Sequence, residues 1–293
     1  MEHTRNNQIH EDNYKVFALL SNYLNHAPNL VSEEEMRDIV QYGVSSEYAF
    51  AVILSAAFGL DVADHPDDKE LFNHYFTKMI HKLDATEYYN NLYYKNIKIP
   101  TIKVGNSELK YEKYQPFEGF VCNDIIQTKE GRQLPQIGFF ETEFQFPAIL
   151  ENNRIWMTIT PNEIETMKEP VNEAFGNVLT FGLGLGYYAY MVSEKDNVES
   201  VTIVEMNEDV IRLFKTYILP QFKHAHKITI IQADAFEFAE RHMAKEQYDF
   251  VFTDLWHDVS DGMNMYTRMK TYEKQSPNTI FSYWIEKSIA CYL

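Results

Sequence analysis

Cysteine is almost missing: Cys122 and Cys291 are the whole supply in 293 residues. Two thiols so far apart build neither a disulfide scaffold nor a cysteine-rich metal site, and their scarcity fits a reducing, cytoplasmic setting. Long apolar runs are missing too. The best candidate, Tyr48 to Leu60, is shorter than 18 residues and interrupted by polar ones, so no membrane-spanning helix is expected. The opening stretch MEHTRNNQIHEDNYK lacks the apolar core of a secretory signal. Positive charge is scarce, with 26 basic against 43 acidic residues and a formal net charge of −17. That average field repels duplex DNA and RNA, so no nucleic-acid partner is expected, whereas a cationic small molecule such as a polyamine is compatible with it. No G-x-S-x-G elbow, H-E-x-x-H helix or G-x-x-x-x-G-K loop occurs. His224 and His226 follow Pro220 without a third ligand at regular spacing, so no metal site is expected.

What the chain has in plenty is aromatic side chains, 20 Tyr and 20 Phe among them. The pairs Tyr88-Tyr89, Tyr93-Tyr94 and Phe139-Phe140 suit half-buried positions at a subunit interface, because Tyr has an apolar body and a polar tip. A homo-oligomer is therefore expected.

Three regions differ in texture. Residues 1–96 read as a helical region. Tyr14, Phe17, Ala18, Leu20, Ser21 and Leu24 form a helical stripe, Ser32 before Glu33-Glu34-Glu35 is a helix start, Ser46 to Phe58 is a more apolar helix, and another helix follows the turn at Asp64–Asp67 and runs through Leu83. Residues 97–159 read as a small β-rich segment, an antiparallel sheet or set of hairpins built from IKIPTIKV, LKYEKY, GFVCNDIIQ and QIGFFETEFQF. Residues 160–293 alternate strand and helix. Thr160-Pro161-Asn162-Glu163 carries a favoured N-cap, a proline suited to the first helical position and a capping-box glutamate. Strands are expected at 178–181, 200–205, 227–232, 248–254 and 278–285, with helices between them. The fold class this predicts is α/β, a Rossmann-like parallel sheet with helices on both faces.

The ends of those strands carry the chemistry. VLTFGLGLG runs a strand into Gly182, Gly184 and Gly186, and the next three strands end on acids: VTIVE at Glu205, ITIIQAD at Asp234 and YDFVFTD at Asp254. In an open parallel sheet the carboxyl ends of the strands line the ligand crevice. A dinucleotide loop, G-x-G-x-x-G, would need its third glycine where Tyr187 stands. The spacing present is G-x-G-x-G, and three acids follow it rather than one.

On these residues, 160–285 resemble the class I S-adenosylmethionine-dependent methyltransferase superfamily, and are most similar in texture to its spermidine synthase branch, which transfers aminopropyl groups. The resemblance implies a methyltransferase-type sheet and S-adenosylmethionine, or its decarboxylated form, as the cofactor. It implies that Gly182, Gly184 and Gly186 let the backbone approach the donor, that Glu205 accepts from both ribose hydroxyls, and that Asp234 with Ala235 meets the adenine amine. Asp254 matches the acid beside the reacting amine, and His257 and Asp258 complete the catalytic candidates. Asp254, Asp258 and Asp261 would form an acidic mouth with Trp256 as an apolar or cation–π wall.

The sequence also departs from that branch. Leu185 stands where the synthases carry a loop acid for the donor's charged tail, and Thr180 where methyltransferases often carry an acid. His257 takes the place of a second acid, and no proline follows it. Only Glu286 to Leu293 follow the fifth strand, where superfamily members usually add a hairpin; a five-stranded sheet with an edge for a second subunit is expected. Methyl-type transfer to an unknown small-molecule acceptor is the leading expectation, aminopropyl transfer to a polyamine the alternative, and a non-catalytic nucleoside-binding or assembly protein the reading from another class.

Overall fold

Two separate cores form. One unit comprises the chain up to Thr86 together with Lys113–Gln145; the other comprises Glu87–Glu112 and Phe146–Leu293. The computed structural model describes the backbone of residues 2–293 and side-chain surroundings from residue 7 onward. The segment 97–159 is thus divided between the two units. Among the described residues no helix is long and apolar enough to cross a membrane.

The first unit places helices Glu2–His26, Glu33–Val40 and Ser46–Ala57 around a three-stranded sheet. Ser32 closes a full capping box with Glu35, as its spacing predicts. Phe50, from the most apolar helix, stacks on Phe139 of the sheet at 4.5 Å. Buried Asn13 ties the first helix to the sheet: its amide donates to the Gly131 carbonyl at 3.1 Å and accepts from the Tyr75 hydroxyl at 2.8 Å and the Gln133 N–H at 3.0 Å. One expectation fails here. The helix predicted through Leu83 ends at Met79, and Ile80–Lys82 is a strand running parallel to Gln133–Phe139. Ile80 lies opposite Ile137, so pairing with a strand more than 50 residues away overrides local helical propensity. Of the aromatic pairs, Phe139 and Phe140 are core residues here, and Tyr88 and Tyr93 are buried too, whereas Tyr89 is exposed and Tyr94 half-buried as expected.

The second unit is built on five parallel strands, β1 (Gly176–Phe181), β2 (Val198–Glu205), β3 (Ile228–Gln232), β4 (Phe250–Thr253) and β5 (Ile280–Tyr283), in the order 3-2-1-4-5. Parallel strands need crossovers, and helices supply them: Tyr187–Ser193, Glu208–Leu213, Ala235–Arg241 and Val259–Lys270. The middle strands read as continuous apolar runs because both of their faces are covered; every residue of β4 is buried. The order reverses at β1, whose two neighbours are β2 and β4. That reversal opens a crevice at the carboxyl ends of the strands. Behind the turn after β1, the wholly buried Tyr93 donates its hydroxyl to the Leu185 carbonyl at 2.6 Å, and Asn91 donates to the Tyr187 hydroxyl at 3.0 Å. The loop is thereby fixed from its inner side. A further sheet runs in the order Ile102–Val104, Ser107–Tyr114, Phe144–Glu151, Arg154–Thr158, with both outer pairs antiparallel.

Candidate functional site

At the crevice the β1 chain must turn sharply into a helix, and glycines make the turn possible. Gly182 has φ +95°, and a Cβ there would lie 2.0 Å from the Asp254 carbonyl oxygen. Only a residue without a side chain lets the turns after β1 and β4 come this close. Gly184, at φ +50°, is different: no described atom lies within 4 Å of where its Cβ would stand. Its backbone is bare toward open space. Gly186 is the N-cap of helix Tyr187–Ser193.

Glu205 ends β2 and is only 7% exposed. Its two carboxylate oxygens each accept one backbone N–H, Oε2 from Leu183 at 3.2 Å and Oε1 from Asn207 at 2.8 Å. A carboxylate has about four lone-pair sites, so both oxygens keep acceptor capacity. The helix that follows is capped instead by Asn207, whose side chain accepts from Asp209 and Val210. Glu205 is left free of that duty.

Asp234 and Asp254 lie just past the ends of β3 and β4, with different outcomes. Asp234 is itself the N-cap of helix Ala235–Arg241 and accepts from the Glu237 N–H at 2.9 Å; neither it nor Ala235 lines the cavity described below. After Asp254 the helix starts only at Val259, and Asp258 caps it, accepting from Ser260 N–H at 2.6 Å in a capping box with Asp261. Among the described residues no donor lies within hydrogen-bond distance of the half-buried Asp254 carboxyl. Burial pushes its pKa up to about 8, and the negative charge of Glu163 adds to the rise.

A cavity of about 590 Å³ joins these groups: Gly182, Gly184, Glu205, Asp254 and His257 line it, and Gly186 and Asp258 do not. His257 is exposed, with Nδ1 3.1 Å from Asp261 Oδ2. Donation to that carboxylate places the proton on Nδ1 and leaves Nε2 as an acceptor. Asp261 is therefore engaged by the cap and by His257, not standing free in an acidic mouth. Trp256, expected as an apolar or cation–π wall, does line the cavity, although it is 4% exposed and lies under Gly262, where a Cβ would come within 2.8 Å of the indole.

Trp156 and Glu163 are among the lining residues that escaped the sequence. Trp156, on the outer strand Arg154–Thr158, is 40% exposed and meets the His257 ring at 4.0 Å. Its signal was available: Ile155, Trp156 and Met157 are three consecutive apolar residues on a strand whose residues 154–156 are exposed. Glu163, legible only as a capping box, also lines the cavity. Its carboxylate accepts from Thr158 Oγ1 at 2.7 Å, from Thr160 N–H at 2.8 Å and from Thr160 Oγ1. Among the described residues no group of three His, Cys, Asp or Glu side chains is arranged to hold a metal ion.

Residues 165–276 match the spermine/spermidine synthase domain family, the branch that the glycine loop and strand-end acids resemble. Among solved structures the chain is similar to a protein assigned as an O-methyltransferase from Klebsiella pneumoniae, at 15% identity and a TM-score of 0.27, over 34% of this chain and 43% of that one. It is also similar to spermidine synthase from Thermotoga maritima, at 18% identity and a TM-score of 0.33, over 48% and 53% of the two chains. The chain spans about half the length of these two structures. No curated protein matches it.

Proposed function

From a spermine/spermidine synthase domain match over residues 165–276, we propose that the second unit binds decarboxylated S-adenosylmethionine at the glycine loop and directs its aminopropyl group onto an amine held at Asp254. The observation that carries this is Asp254 itself, a cavity-lining carboxyl with no described hydrogen-bond donor and a pKa pushed up to about 8 by burial and by Glu163.

The residues fit a nucleoside donor. Glu205 keeps an acceptor position on each oxygen, suited to a vicinal diol. Gly184 leaves backbone bare, and about 590 Å³ is ample for a ligand of that size. When bound, the donor supplies a carbon activated by its sulfonium: as the C–N bond forms, the C–S bond breaks and its electron pair stays on sulfur. Asp254 removes the proton from the acceptor's ammonium, so that nitrogen has a lone pair to attack with. A carboxyl near its ordinary 3.8 would hold that proton weakly; one near 8 is far better matched to an amine. His257, with Nδ1 taken up by Asp261, offers Nε2 to pass the proton on to solvent.

One observation favours a second reading, methyl transfer from S-adenosylmethionine: Leu185, 2% exposed, stands where the synthase branch carries the donor-tail acid. Incubation with each donor and a panel of primary amines separates the two by product. Methylthioadenosine from the decarboxylated donor is expected, S-adenosylhomocysteine would establish methyl transfer instead, and calorimetric binding without either product would favour a non-catalytic nucleoside-binding protein. Absence of binding to any of these nucleosides would end all three. We further propose a cytoplasmic homo-oligomer; light scattering that finds only a 34.5 kDa species at micromolar concentration would refute the assembly.

A further inference from the structure

Two of the carboxyls that line the cavity sit on separate elements, and local structure does not set their spacing. Asp254 stands just past β4, while Glu163 belongs to the six-residue helix Pro161–Thr166. A helix that short is not stable by itself, so tertiary contacts must hold Glu163 in place. At the start of the helix, Thr158 and the capping box with Thr160 hold the Glu163 carboxylate. At its end stands Thr166, which lies outside the lining. Its Oγ1 accepts the indole N–H of Trp284 at 2.8 Å. Glu163 and Thr166 are three positions apart, neighbours on one helix face.

Trp284 is tied at its other end to the strand that carries Asp254. Tyr283 pairs with Thr253, and the Trp284 N–H donates to the Thr253 carbonyl at 3.0 Å, so Trp284 extends β5 beside Asp254. Asp254 in turn donates its N–H to the Phe181 carbonyl of β1 at 2.9 Å. Trp284 is buried and lines the same cavity. The chain then leaves the sheet through Ile285 at φ +48°, a left-handed conformation that strains a β-branched residue. Such strain persists only where surrounding contacts over-determine it, and it gathers at functional sites. The charged or titrating groups of the lining are Glu151, Glu163, Glu205, Asp254 and His257. Only Glu163 sits on the helix that the Trp284 indole holds.

We propose that Trp284 and Thr166 form a brace that positions Glu163 against Asp254, which makes both of them positioning residues for the amine transfer. The inference rests on the transferase reading above and adds two residues to the same site. The brace runs from the end of the sheet, through the indole, to the far end of the short helix. The charge of Glu163 is felt at Asp254, so a helix that drifts loosens the hold of Asp254 on its proton.

Titration of the Asp254 carboxyl by 13C NMR on the whole chain, with the signal assigned by Asp254→Asn, tests the brace. Thr166→Val keeps the side-chain shape and removes the acceptor. It should move the Asp254 midpoint about one pH unit below the wild-type value. The transfer rate should fall with it, while calorimetric affinity for S-adenosylhomocysteine holds within about two-fold. Thr166→Ser restores the hydroxyl and should return the midpoint to within about 0.3 pH unit. Glu163→Gln should lower the midpoint by itself, and Thr166→Val should add nothing in that background, because both act through one charge. An unchanged midpoint in a Thr166→Val protein that still binds the nucleoside overturns the inference, as do shifts that add in the double variant. Should Thr166→Val fail to fold, Trp284→Phe gives the same reading, since it keeps a ring and lacks the N–H. A wild-type protein that forms no product from either donor removes the transferase reading, and the titration still decides the brace.

Discussion

The turns after β3 and β4 start from the same sequence feature, an aspartate closing an apolar strand, and end as different objects. After β3 the helix begins at the next residue, so Asp234 is consumed as its cap. After β4 the helix begins five residues later and Asp258 caps it, so Asp254 keeps its carboxyl clear of hydrogen-bond donors. The turn after β2 follows the second pattern, with Asn207 capping and Glu205 released. The first orphan N–H groups of a helix take whichever short polar side chain sits at the boundary. Where a second such residue is present, the strand-end acid is spared for a ligand. Spacing between the acid and the helix start thus separates a structural carboxylate from an available one.

The contrast is easiest to break at Asp254. Asp254→Asn should lower the transfer rate by about 10²–10⁴-fold while nucleoside affinity stays within about three-fold, because proton acceptance is lost and the nucleoside contacts are not. In the wild type, kcat/KM should rise with pH through about 8, as Asp254 ionises. The same carboxyl opposes folding above its unfolded pKa. Its raised value means the native state binds the proton more tightly between pH 4 and 8, so stability falls as pH rises across that window. Asp254→Asn should therefore unfold at a higher temperature than the wild type at pH 9. A rate that is unaffected, or a mutant that is less stable at pH 9, would make Asp254 a structural residue like Asp234.

Glu205→Ala comes next in size. It should weaken nucleoside binding by about 1–3 kcal/mol by removing the acceptors for the ribose hydroxyls, with calorimetry as the readout. Undiminished affinity in a folded mutant would assign Glu205 solely to holding the Leu183 and Asn207 N–H groups.

The smallest effects sharpen the comparison from its structural side. Asp234→Ala and Asp258→Ala should each cost about 0.5–2 kcal/mol in denaturant melts, the usual loss for an N-cap. Asp234→Ala should change nucleoside affinity less than Glu205→Ala does. An Asp234 mutant that melts normally but binds poorly would place Asp234 with the adenine and reverse the distinction drawn between the two turns.

Much of this was written in the chain. Period and capping signals fixed the alternation of strand and helix, since apolar runs bounded by Asn207, Asp234 and Asp258 admit few other foldings. The spacing of Gly182, Gly184 and Gly186 against a bulky Tyr187 pointed away from a dinucleotide loop before any contact was known. Contacts made across long sequence separations were not written there. Ile80–Lys82 became a strand only because Gln133–Phe139 offered it backbone partners, and packing set elsewhere in the second unit leaves Trp156 40% exposed and Trp256 only 4%. Local rules decide which residues end a strand or cap a helix, because those hydrogen bonds close within a few positions. Which carboxyl is stripped of water, and which aromatic faces the cavity, depends on neighbours brought in from distant parts of the chain, and that only the tertiary structure settles.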